Sequence, residues 1–117
     1  MARVTGNAIG AMTPDNLIAS MFPPAEAFTI DLKTSGVIER GTVMSLESDG
    51  KYEVLGKGAG TASCVLAETT EADDVVGVAY RTGHFYRNGI KVNAEYALTE
   101  TDENNLRLAG ILLSDGL

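Results

Sequence analysis

Tight turns set the limits of this chain. Thirteen glycines stand against three prolines, and they separate short apolar segments along most of the sequence. Such punctuation leaves little room for long helices and reads as a β-rich chain. Two dipeptides direct the chain most strongly. Asp49-Gly50 separates residues 42–46 from residues 52–55, and Asn88-Gly89 separates residues 84–87 from residues 90–93. An Asx-Gly pair supplies the positive-φ residues that a two-residue hairpin turn requires, so each dipeptide predicts a hairpin.

The remaining strands follow from alternation. Phe28, Ile30 and Leu32 alternate with Thr29, Asp31 and Lys33, which predicts a strand with one buried face. Gly56, Gly58 and Gly60 form a flexible crossing into a further strand over residues 61–67. Residues 75–80 and 84–87 read as strand interrupted at Gly83. Between these stretches, residues 68–74 carry Glu68, Glu71, Asp73 and Asp74 and no base, the composition of a solvated loop. One helix is predicted, over residues 102–109. Thr99 or Thr101 can cap it, and Glu100, Asp102 and Glu103 sit at the positive end of its dipole. Arg107 lies near the negative end, and Gly110 suits the left-handed residue that closes a helix. Ile111 to Leu113 return as a last short strand.

Residues 2–24 depart from this pattern. They hold Gly6, Gly10, Pro14, Pro23 and Pro24 and only two charges, Arg3 and Asp15. A helical turn over residues 15–21 is the most they can form before Pro23-Pro24 stops it. Ile9, Met12, Leu17, Ile18, Met21 and Phe22 make the stretch too apolar for a solvated tail. It reads as an arm, residues 1–24, that lies against something outside a single β-rich domain at residues 25–117.

Charge and the rare side chains narrow the function. The 117 residues carry 16 acids against 9 bases, a formal net charge of −7. Such a surface repels nucleic acid and anionic lipid, so neither is an expected partner. The N-terminal residues lack the apolar core of a signal peptide, and no apolar run is long enough to span a bilayer, which implies cytosolic synthesis. Cys64 and His84 are the only cysteine and histidine, too few for an internal disulfide or the usual zinc sites. They are also the only possible nucleophile and base, but Cys64 has no basic neighbour in sequence and reads as a buried, inert thiol. The run Gly56-Lys57-Gly58-Ala59-Gly60 has the wrong spacing for a phosphate loop. The acidic loop lacks the alternating ligands and central glycine of a calcium loop. No catalytic residue, metal site or cofactor is expected. Arg81, Arg87 and Lys91 form the one basic cluster, interleaved with Tyr80, Phe85 and Tyr86. Arginine and tyrosine combine contact area with directed hydrogen bonds, so this cluster is the expected contact surface of the folded domain.

From Gly41 onward the order of features resembles the head decoration proteins of tailed phages, the lambda decoration protein D family. Gly41-Thr42-Val43-Met44 opens the series, followed by the Asp-Gly turn region ending in residues 52–56 and then Val75-Val76-Gly77-Val78-Ala79. Tyr80-Arg81-Thr82-Gly83-His84-Phe85 is similar to the family's aromatic, basic, small, glycine, any, phenylalanine signature. The acid-capped helix beside Leu108-Ala109-Gly110 and the closing apolar strand complete it. The resemblance implies a mainly β, α+β fold: a small barrel-like or β-tulip domain with one short C-terminal helix, an extended N-terminal arm and no enzymatic activity. It further implies a homotrimer on the exterior of the virion head that binds the major capsid protein at three-fold positions. The arm residues named above would then be the capsid-binding set, and Tyr80, Arg81, Phe85, Tyr86, Arg87 and Lys91 the trimer or capsid interface. Two other classes stay open: a small ligand-binding β-barrel module, lectin-like or carrier-type, and a small hydrolase using Cys64 and His84.

Overall fold

A computed structural model describes residues 17–20 and 22–115. Among these residues seven strands form one open sheet, and a single α-helix packs on it: β1 Ile18–Ser20, β2 Glu26–Asp31, β3 Val43–Leu46, β4 Tyr52–Val54, β5 Thr61–Leu66, β6 Val76–Tyr86, α1 Glu100–Ala109 and β7 Ile111–Ser114. The described residues are therefore mainly β, as the turn pattern predicts. The main path runs β1-β6-β5-β3-β4, with β2 and β7 also paired to β6. Every pairing is antiparallel except that of β6 with β7.

Alternation along the strands sends side chains to two separate cores. The first holds Leu17, Val43, Leu55, Ala62, Val65, Phe85, Leu106 and Ile111. The second holds Ile30, Leu32, Met44, Cys64, Leu66 and Ala79. With both faces of β3 covered, Val43, Met44 and Ser45 are buried in succession. A register shift between β3 and β5 pairs Met44 with Cys64 but Ser45 with Ala62, which leaves Ser63 as the extra residue of a bulge. The bulge moves Ala62 onto the same face as Val65. At the margins of the sheet, Leu32 bridges Tyr52, and the Lys33 N–H donates to the Tyr52 carbonyl at 2.8 Å.

The Asp49-Gly50 hairpin forms between β3 and β4, with Gly50 at φ +86°. The helix is capped by Thr99: its hydroxyl accepts from the Asp102 N–H, the Asp102 carboxylate accepts from the Thr99 N–H, and Gly110 closes the helix at φ +108°.

Three expectations give way. The strand expected to break at Gly83 runs unbroken through it. Gly83 adopts φ +153°, and the Phe85 ring lies 2.5 Å from where a Cβ would stand, so glycine lets that ring fold back over its own strand. Asn88-Gly89 makes no hairpin. Arg87–Gly89 is a 3-10 turn, and residue 91 is taken by a distant segment instead: Lys91 N–H donates to Gly41 O and Val43 N–H to Lys91 O. The helical turn expected over residues 15–21 is replaced, where the chain is described, by β1, which pairs with β6 through Ile18–Phe85 and Ser20–His84.

Candidate interaction surface

The basic and aromatic cluster does not come together as one surface. Its residues on β6 are split between core and solvent because the strand passes from one core to the other. Phe85 is fully buried in the first core, with its ring 5.4 Å from that of Tyr80, so it cannot serve at an interface as expected. Tyr80 is half-buried, and its hydroxyl accepts from Arg40 at 3.3 Å. Arg81 is exposed and its guanidinium lies 4.8 Å from the Phe28 ring centroid, a cation–π contact across the β2–β6 pair. Tyr86 is half-buried.

Arg87 is already engaged within the chain. It grips Glu103 through two bonds, of 2.8 and 3.2 Å, and reaches Asp115 at 2.5 Å. These bonds, the one to Glu103 first, raise its pKa. A pair this exposed contributes on the order of 1 kcal/mol or less. It thereby ties the turn after β6 to the helix and to the residue that follows β7. Lys91 is exposed and its ammonium donates to Arg40 O at 3.4 Å. Arg81 and Lys91 are thus the cluster's outward cations.

The arm residues divide in the same way. Leu17 is 3% exposed inside the first core, and Ile18 packs against that core. Leu17 O also accepts from Tyr86 N–H at 2.7 Å. The assignment of Leu17 to capsid binding is corrected, since it is buried in the protein's own interior, and Ile18 beside it is half-buried against the same core. Phe22, two residues past β1, is 82% exposed. Ile9, Met12 and Met21 lie outside the described residues.

The remaining sequence candidates resolve simply. Cys64 is fully buried in the second core, and desolvation pushes its thiol up to about 12. His84 lies elsewhere, lining a groove with Arg87, Glu103, Arg107 and Leu112. The glycine run is filled by the chain's own carboxylate: Glu47 is 8% exposed, accepts from the Gly60 N–H at 3.0 Å and from the Ser45 hydroxyl at 2.6 Å. A Cβ on Gly60 would stand 2.4 Å from that carboxylate and 2.3 Å from Leu46 O. In the acidic loop, the Asp74 carboxylate accepts from the Glu71 N–H, closing the loop on itself. Among the described residues no three His, Cys, Asp or Glu side chains gather to hold a metal ion.

A cleft of about 360 Å³ opens between the loop at residues 34–39 and residues 91–94, with Glu53, Val54, Lys57 and Lys91 in its wall. Glu53 is 7% exposed and held by the Thr34 hydroxyl at 2.8 Å and by the Val54 N–H. Sequence reasoning missed Glu47 and Glu53, because nothing local distinguishes a buried carboxylate whose partners come from another loop. No family model matches the chain, and no curated protein matches it.

Proposed function

We propose that this chain is a structural interaction protein: a trimeric decoration, or cement, protein that binds the major capsid protein on the outside of an expanded phage head at three-fold positions. Its role there is to hold neighbouring capsid subunits together against the pressure of packaged DNA. The observation that carries the reading is Phe22, a large aromatic left 82% exposed two residues past a strand that pairs with β6. Ile9, Met12 and Met21 extend the same apolar character in sequence. Burying each such side chain against a capsid groove would contribute about 1.5–3 kcal/mol, and three arms on one trimer would act multivalently. Arg81, Tyr86 and Lys91 supply polar contacts from the body.

In support of this reading, Val43–Leu46 is a strand, residues 80–85 lie on Val76–Tyr86, and the capped helix leads into Ile111–Ser114. The bridge of Leu32 to Tyr52, joining β2 to β4 around the second core, supports the barrel-like description of the body.

Because β1 belongs to the body, the test is deletion of residues 2–16 with Leu17 retained, combined with Phe22→Ala. The shortened protein should fold and form trimers by light scattering, yet fail to sediment with expanded heads. Undiminished binding would move the anchor to the body. The cleft beside Lys57 and Lys91 favours a second reading, a ligand-binding module; a monomer in light scattering together with saccharide binding that is lost in Lys57→Ala would establish it instead.

A further inference from the structure

We propose that the end of the sheet carrying Val37, Val75 and Val76 is a docking surface for a basic, apolar segment of a partner protein. This inference is independent of the decoration reading. All three valines are exposed, at 65%, 63% and 44%. They sit in two chain segments that the fold clamps together. Buried Thr70 makes the clamp: its hydroxyl accepts from Ile38 N–H at 2.9 Å and donates to Gly36 O at 2.6 Å, and its N–H donates to Ile38 O. Val37 is therefore held from both sides by the loop that leads to Val75. At the same end, Leu32 N–H donates to Val75 O, and Val76 pairs with Asp31. Apolar side chains presented on backbone that is already fixed lose little entropy when covered.

Charge selects the occupant. Asp31, Glu39, Glu68, Glu71 and Asp73 are all exposed at this end. The two bases in the same segments are turned to other partners: Lys33 to Asp49 at 3.1 Å, and Arg40 to Ala67 O and the Tyr80 hydroxyl. Lys57 and Lys91 line the cleft on which Val37 borders, so the acidic side of the surface is the one at Val75 and Val76, and it suits a segment in which lysine or arginine flanks aliphatic side chains. A second copy of this chain brings a net charge of −7 and is repelled, as is an anionic membrane.

The test is titration of the full-length protein with a short peptide of alternating lysine and valine, followed by amide NMR. Oligolysine and a peptide of alternating glutamate and valine are the controls. The expected result is a set of shifts centred on residues 36–38 and 70–76, with both controls weaker by about tenfold or more. The double substitution Val37→Ser and Val75→Ser should lower affinity by about as much, while its exposed positions leave the melting temperature unchanged. Absence of binding, shifts spread over all the acids, oligolysine binding as well as the mixed peptide, or full affinity in the double variant would each overturn the proposal.

Discussion

Leu17→Ala separates a body residue from an arm residue more sharply than any other change. Leu17 is 3% exposed and packs with Val43, Phe85, Leu106 and Ile111. Truncation removes three carbons, about 2.4 kcal/mol at about 0.8 kcal/mol per methylene-sized group. A cavity adds to this, and fully enclosed leucines lose about 2.7–5 kcal/mol in all. Here β1 has only three residues, so its surroundings can close partway and the cost belongs at the low end, about 2.5–3 kcal/mol. For a chain of this length that lowers the melting temperature by roughly 10 °C. Urea and thermal unfolding followed by circular dichroism read it directly. Phe22→Ala is the companion: at 82% exposure it should change stability by no more than about 0.5 kcal/mol while weakening head binding. If Leu17→Ala unfolds within about 0.5 kcal/mol of wild type and loses head binding instead, Leu17 faces the partner and the assignment of β1 to the body is wrong.

Native Cys64 should resist thiol reagents at pH 8, since burial pushes its thiol up to about 12, and labelling should appear only as the protein unfolds in denaturant. Gly60→Ala should cost several kcal/mol in urea melts, because its Cβ would meet Leu46 O at 2.3 Å and the Glu47 carboxylate at 2.4 Å; the less constrained Lys57→Ala should be nearly neutral. Thr99→Ala removes the cap and should cost about 0.5–2 kcal/mol, with the loss visible in helical circular dichroism. For Asp102, desolvation works upward, but hydrogen bonds from the Tyr96 hydroxyl and from Thr99 outweigh it and hold the carboxyl below its ordinary 3.8. Its contribution is complete above that ordinary value and is lost as pH falls through the lower folded one, so Asp102→Asn should flatten the acid limb of the stability–pH curve.

The sequence is most legible where structure is decided locally. Alternation at Phe28–Leu32, the Asp49-Gly50 turn and the cap at Thr99 all depend on neighbours within a few residues, and all three are found. Asn88-Gly89 fails because a hairpin also needs its return strand, and residue 91 is claimed by Gly41 and Val43 from the far side of the chain. Leu17 was obscured by the glycines and prolines around it, although what buries it is a strand that begins much later. The candidate surface was half legible: residue type identifies Arg81 and Phe22 as interaction-prone, but only packing shows that Phe85 and Leu17 face inward and that Arg87 is engaged by Glu103 and Asp115.

β6 pairs with β1, β2, β5 and β7 and so joins the first described residues to the last. During synthesis this has a cost in time. The partner of Ile18 is Phe85, which is made long after it, and the C-terminal half of β6 then waits again for Ile111–Ser114. The first core waits for Phe85, Leu106 and Ile111, whereas the second needs nothing beyond Ala79. Contacts this distant in sequence place folding roughly in the millisecond-to-second range. Nascent chains therefore carry the apolar segments of the first core uncovered until Ile111–Ser114 has been made, well after the second core has all its residues.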